Sequence, residues 1–187
     1  GVAEGTTRAG AIRMGRGCAR PAGAGRVNRE EDPRLDPLAE KLTRAGFSVE
    51  RTQDPDSLIW GKLAINAAIN PLTALLEVPN GALLESPAAW NLAAELAQEA
   101  AAVARAQGVR LPYPDPVKAA AEVAAHTAAN RSSMLQDVQR GAPTEIDAIC
   151  GAIVRLGQAA GVPTPVNQVL WQLIKARVET PGNRSGG

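Results

Sequence analysis

The stretch Leu58-Ile59-Trp60-Gly61-Lys62-Leu63-Ala64-Ile65-Asn66-Ala67-Ala68-Ile69-Asn70-Pro71 decides how this chain is read. Its polar side chains, Lys62, Asn66 and Asn70, fall at i, i+4 and i+8, which stacks them on one face of an α-helix. At about 1.5 Å rise per residue the row is about 12 Å long, enough to line a small-molecule site. The flanking residues are Leu, Ile, Ala, Gly and Trp, so much of the helix is expected to be buried. A buried polar group without a partner costs about 1–3 kcal/mol, so a lysine between two amides needs an occupant or satisfying neighbours. The simpler alternative is an amphipathic helix whose polar face meets water. Against it, a solvated face usually mixes Glu, Lys, Arg and Gln, whereas Asn is a poor helix former.

The totals narrow the classes of function. With 187 residues the chain can bury a real core without disulfides. Aromatic residues make up 3% and alanine is abundant, which favours close-packed helices over a β-sandwich. Lys and Arg total 20 against 19 Asp and Glu, so no global field points to nucleic acid or an anionic membrane. Arginines gather in the first 51 positions, but among Gly and Ala and without an aromatic platform. Cys18 and Cys150 stand far apart with no CxxC, and His126 is the lone histidine, so no disulfide framework, zinc site or His-based triad is expected. No apolar run reaches the length of a membrane span, and neither a signal peptide nor an initiating Met is visible. The expectation is a cytoplasmic chain that does not begin at its natural start.

Along the chain, residues 1–30 are rich in Gly and Arg, with short segments at 1–7, 17–20 and 25–28 readable as strands between glycine turns, or as a disordered arm. Asp36, Leu38, Leu42 and Phe47 mark an amphipathic helix over 36–45, with Gly46 as its cap, and residues 47–51 alternate as a strand. From Asp54 the text is helical. A helix to Asn70 is expected to break or kink at Pro71, a short helix follows, and residues 78–81 read as a turn. Further helices are expected over 87–107, 117–129 and 132–138 (the last short, or an extended turn). Thr144 is expected to cap one over 145–160, and a last one covers 166–178, before a disordered tail at 181–187.

Three blocks in order carry a resemblance. Residues 60–75, with Asn80-Gly81 downstream, resemble the opening of the C-terminal helical domain of ketopantoate reductase (2-dehydropantoate 2-reductase). Asn130-Arg131-Ser132-Ser133-Met134-Leu135-Gln136-Asp137-Val138, followed by Thr144-Glu145-Ile146-Asp147, resembles that family's second signature, and residues 161–167 its closing segment. The resemblance implies a mainly α fold. A helical domain of the 6-phosphogluconate dehydrogenase C-terminal-like type would span 53–180, preceded in 1–52 by a few strands and one helix left from an α/β Rossmann domain. It also implies NADPH-dependent reduction of ketopantoate to pantoate, with Lys62 as general acid and Asn66, Asn70, Asn80 and Ser133 binding the ketoacid. Glu145 and, by a looser alignment, Ile12 would lie at the cofactor. On residue chemistry alone, Glu145 reads equally as a first-turn glutamate and Ser132-Ser133 as a helix cap.

The sequence departs from the family in lacking the G-x-G-x-x-G turn that cradles a pyrophosphate: Gly23-Ala24-Gly25 is followed by Arg26-Val27-Asn28. The expectation is therefore a truncated reductase, inactive by itself for want of the cofactor half. A second departure is Cys150, where the family usually has Asn. Two other readings compete: a reductase of another 2-ketoacid, and a non-catalytic helical module whose long Ala-rich helix (87–107) packs against a second copy. The expected partners are a small ketoacid and, as an open alternative, a homodimer mate, with no nucleic acid, membrane or metal.

Overall fold

The chain divides into two units, Gly1–Ile59 and Trp60–Gly187. The computed structural model describes residues 11–13, 35–47, 49–52 and 54–180. In the first unit, β1 (Ala11–Arg13) and β2 (Glu50–Thr52) pair antiparallel, with Ala11 opposite Thr52, Ile12 opposite Arg51 and Arg13 opposite Glu50. Between them in sequence lies α1 (Leu35–Arg44), with Asp36 in its first turn and Lys41 and Arg44 in its last, complementing the helix dipole. Gly46 (φ +85°) ends it as expected: Phe47 N–H donates to Leu42 O and Gly46 N–H to Thr43 O, closing a Schellman motif. That cap uses the Phe47 amide, and the strand expected over 47–51 begins only at Glu50. The strands expected within 1–7, 17–20 and 25–28, and the tail at 181–187, lie outside the described residues.

Helix α2 (Pro55–Leu76) corrects one expectation: of the break or kink expected at Pro71, the break does not occur, and the helix continues past Asn70 to Leu76. An interior proline removes one N–H and crowds the preceding turn, at a cost of about 3 kcal/mol. Residues 67–74 are all buried, with Leu72 at 2% exposure and Ala67, Ala68 and Ala74 at 0%. Unwinding there would expose that surface, and the Thr73 hydroxyl supplies a local bond to Ile69 O at 2.9 Å. Packing overrides propensity. At the start, Ser57 N–H donates to Asp54 Oδ1 at 3.0 Å, so Asp54 caps the helix as its type predicts.

The remaining elements are α3 (Ala82–Glu85), α4 (Pro87–Ala106), α5 (Pro116–His126), α6 (Ser133–Gln139), α7 (Cys150–Ala160) and α8 (Pro165–Glu179). The one-turn α3 was not anticipated. Prolines open α4, α5 and α8, where their missing N–H costs nothing, and Ser86, Asp115 and Ser132 cap α4, α5 and α6 through their side chains. A second correction concerns α7, which begins at Cys150, five residues after the expected Glu145, with Ile149 and not Thr144 at its N-cap. Residues 145–149 form a tight turn in which Ala148 N–H and Ile149 N–H both donate to Glu145 O. Arg155 also donates to the Asp147 carbonyl oxygen at 3.0 Å.

Two apolar clusters share α2 as their spine. One joins Trp60, Leu63, Ala64 and Ala67 to Val103 of α4, Met134 and Leu135 of α6, Ile153 of α7 and Ile174 of α8. The other joins Ala68, Ile69 and Leu72 to Leu83, Leu96, Ala120, Ala124 and Leu170. Each fully buried Leu or Ile contributes about 1.5–3 kcal/mol. The fold is mainly α, as expected. The alanine face of α4 (Ala93, Ala97, Ala100, Ala104) is buried inside the chain, against α5, α7 and α8, so it is not the free face that a partner copy would need. Among the described residues no helix is long and apolar enough to cross a membrane.

Candidate active site

The predicted stripe lies on α2 as a continuous helical row. Between Trp60 and Ala74 only Lys62, Ile65 and Asn66 are less than fully buried, and Asn70, at 8% exposure, carries the row into the core. The row is therefore not a solvated polar face: it opens at the Lys62 end and closes at the Asn70 end. The backbone beside Lys62 is fixed from outside the helix. Tyr113 O–H donates to Gly61 O at 2.7 Å, and a Cβ on Gly61 would lie 2.7 Å from Cδ and Cγ of Pro112, so glycine is what lets the 112–113 loop come so close. Burial pushes the Tyr113 phenol up to about 12.

Segment 127–133 ties the other predicted binding residues to α2. The hydroxyls of Thr73 and Ser132 are joined by a 2.7 Å hydrogen bond, and Ser132 Oγ also accepts the Leu135 N–H at 3.1 Å, so Ser132 caps α6 and fastens it to α2 together. Ser132 is buried, whereas Ser133, the first residue of α6, is exposed. At the other end, Asn80 N–H donates to Asn130 O and Gly81 N–H to Ala128 O, each at 3.0 Å, and Asn80 Nδ2 donates to Thr127 Oγ1 at 2.9 Å. A Cβ on Gly81 would lie 2.6 Å from the Ala128 Cβ, so this contact too depends on glycine. Thr73 of α2, Asn80 and the Ser132–Ser133 pair are thus joined through one seven-residue segment.

Glu145 is half-buried and opens the 145–149 turn. That turn is stapled to α8: Trp171 Nε1–H donates to Asp147 Oδ1 at 2.6 Å, with Lys175 Nζ 3.8 Å from the same oxygen. Arg155 and Lys175 lie 5.8 and 5.7 Å from the Trp171 ring centroid, within cation–π range. Ile12 belongs to the other unit, on β1, opposite Arg51. A shallow concavity of about 600 Å³ is lined by Ala129, Asn130, Arg131, Gln136, Gln139 and Arg140, none of them a predicted site residue.

Residues 54–178 match the family model described as "Ketopantoate reductase PanE/ApbA C terminal". The chain belongs to the ketopantoate reductase family. Among its relatives is the 2-dehydropantoate 2-reductase of Pyrobaculum aerophilum, 52% identical over 140 residues, covering 75% of this chain and 50% of that protein. The chain spans about half the length of the curated relatives it matches. Of solved structures, a PanE/ApbA family ketopantoate reductase from Ralstonia eutropha JMP134 superposes with a TM-score of 0.73 at 36% identity, over 77% of this chain and 48% of that one. A D-mandelate dehydrogenase solved with NADH and anilino(oxo)acetate gives 0.73 at 28% identity, over 78% and 61%.

Several supports of this ketopantoate reductase domain were not singled out from sequence. Thr73 sits three residues beyond Asn70, a hydroxyl in a buried helix, and that position was its only visible signal. Thr127, Tyr113 and Trp171 act across 47, 52 and 24 residues of sequence, where local pattern says nothing. Glu99 accepts from Val166 N–H, Asn167 N–H and Asn167 Nδ2, capping α8 from the middle of α4. Cys150 is fully buried, and burial, with the Glu99 carboxylate adding to it, pushes its thiol far above the ordinary range, so it is an inert packing residue.

Proposed function

We propose that this chain carries the ketoacid half-site of a 2-dehydropantoate 2-reductase, reducing ketopantoate to pantoate with NADPH in pantothenate and coenzyme A biosynthesis. In this reading residues 1–52 are the end of a dinucleotide-binding domain and 53–180 the helical substrate domain. The observation that carries it is the half-covered row Lys62–Asn66–Asn70 on a buried helix, with Asn80 and Ser133 fastened to the same neighbourhood by segment 127–133.

Lys62 is the general acid. As the C2 carbonyl becomes an alkoxide, its ammonium stabilises the developing charge and gives up a proton to that oxygen. Asn66, Asn70, Asn80 and the exposed Ser133 hydroxyl orient the ketoacid without adding a charge that competes with Lys62. When bound, the reduced nicotinamide supplies the hydride. The family resemblance assigns Glu145, on the turn bonded to Trp171 through Asp147, to the cofactor's nicotinamide end and, by a looser alignment, gives the Ile12 backbone the same role. No G-x-G-x-x-G turn occurs in the sequence, so only contacts at the nicotinamide end are assigned to this chain.

A second reading, reduction of another 2-ketoacid, is favoured by the likeness to a D-mandelate dehydrogenase solved with an oxoacetate. Both readings use Lys62 in the same way. The test is a chimera in which residues 54–180 replace the matching half of the Pyrobaculum aerophilum enzyme, assayed with NADPH and a panel of 2-oxo acids. Ketopantoate should be the best substrate, and Lys62→Ala should lower kcat by about 10²–10⁴-fold. An active chimera that keeps its turnover without Lys62 would overturn the assignment.

A further inference from the structure

The concavity of about 600 Å³ beside α6 is polar, and its hydrogen bonding is one-sided. Asn130, Arg131, Gln136, Gln139 and Arg140 line it and are all exposed, so a dissolved ligand can reach each of them. Gln136, Gln139 and Arg140 fall at i, i+3 and i+4 and share one face of α6 and its C-cap. Arg131 comes from the segment that leads into the helix and is held there twice. Gln136 Nε2 donates to the Arg131 carbonyl oxygen at 2.9 Å, and an Arg131 guanidinium N–H donates to Gln139 Oε1 at 3.3 Å. Arg140 donates to Asp137 Oδ1 at 2.8 Å. These bonds occupy the Gln139 oxygen and one oxygen of Asp137, while each guanidinium has several N–H groups and spends one of them. Donors are left over. Charge is one-sided as well: Asp137 pairs with Arg140, and Arg131 has no carboxylate partner among the described residues.

We propose that this concavity is an anion site that takes a phosphate group, with Arg131 as its main anchor and Arg140 as its second. Guanidinium groups match phosphate oxygens in pairs, with charge-assisted hydrogen bonds. A phosphate monoester carries about −1.5 to −2 charge at pH 7 and three strong acceptor oxygens, enough to engage both arginines and the Gln139 amide. A carboxylate brings one charge and two oxygens, and leaves part of that donor set unused. The volume lies within the range of small-molecule sites, about 300–1,000 Å³, so an organic group attached to the phosphate also has room. None of the residues assigned to the ketoacid lines this concavity, so the proposal stands apart from that reading.

The test titrates inorganic phosphate and ribose 5-phosphate into the isotope-labelled chain at constant ionic strength, following the arginine Nε–H and glutamine side-chain NMR signals. Both should give saturable shifts at Arg131, Gln139 and Arg140. Tighter binding of ribose 5-phosphate identifies an ester as the ligand, and equal binding identifies free phosphate; each supports the site. Arg131→Gln should weaken phosphate at least about tenfold, the worth of a charged hydrogen bond. Arg140→Gln should weaken it about threefold, because its charge is shared with Asp137. Asp137→Asn lifts that competition and should tighten binding about threefold, a gain that loss of structure cannot mimic. Shifts that fail to saturate, or that sodium chloride reproduces at the same ionic strength, would overturn the proposal. So would a Kd indifferent to Arg131→Gln, or one that Asp137→Asn weakens.

Discussion

Thr73 on α2 and Ser132 at the N-cap of α6 share a 2.7 Å hydroxyl–hydroxyl hydrogen bond, buried at both ends. That bond separates the two adjacent serines by task. Ser132→Ala removes a helix cap and the hydroxyl–hydroxyl bond that ties α6 to α2, leaving Thr73 its local bond to Ile69 O, and should cost about 1–2 kcal/mol in urea unfolding. Ser133→Ala, at an exposed position, should stay within about 0.5 kcal/mol of wild type while weakening ketopantoate binding. Equal stability losses in the two variants, with no effect of Ser133→Ala on binding, would contradict this division.

Gly81→Ala should be among the more damaging small substitutions in the chain. The added methyl would sit 2.6 Å from Ala128 Cβ and 2.9 Å from its Cα, so backbone would have to move. A loss of about 1–3 kcal/mol follows from overpacking of this kind. Because the shift parts Asn80 from Thr127 and Asn130, ketopantoate affinity should fall as well. Unchanged stability in denaturant titration would mean that the 80–81 turn is not clamped as described.

Tyr113 is the single tyrosine, so phenolate absorbance reports it alone. Its midpoint should lie near 12, above the ordinary 10, because burial disfavours the anion. The sign for stability follows. The unfolded chain loses this proton near pH 10 and the folded chain holds it to about 12, so the phenol's contribution is complete below pH 10 and is lost as pH rises between those values. Tyr113→Phe should flatten the stability profile over that window. A midpoint at 10 would show that the phenol is not sheltered beside Gly61.

Sequence made the helical text legible because its punctuation is strong. Pro87 opens a helix as read, Gly108 and Gly161 close helices in left-handed conformations, and Asp54 caps α2, whereas Pro116 and Pro165, read as loop residues, open α5 and α8, and Asp115 caps α5 without having been singled out. The i, i+4, i+8 spacing alone places Lys62, Asn66 and Asn70 on one helix face, and α2 carries all three. What local pattern missed was set by tertiary forces. Burial carries α2 through Pro71, and the bonds of Asp147 to Trp171 and Arg155 accompany a turn at 145–149 where the apolar spacing of Ile146, Ile149 and Ile153 had suggested helix. The family was legible chiefly through the three blocks that resemble it, and the proposed function follows from them. The scaffold that aims those residues, Thr73, Thr127 and Tyr113, had no local signature.

The central claim is that Lys62, Asn66, Asn70, Asn80 and Ser133 form one ketoacid site. Titrating ketopantoate into the isotope-labelled chain and following its amide and side-chain NMR signals tests this most directly. The account predicts saturable shifts concentrated at those five residues, and a Kd at least about tenfold weaker in Lys62→Ala, as expected for losing a charged hydrogen bond. Shifts confined to the Arg131–Arg140 concavity, or a Kd indifferent to Lys62, would contradict it.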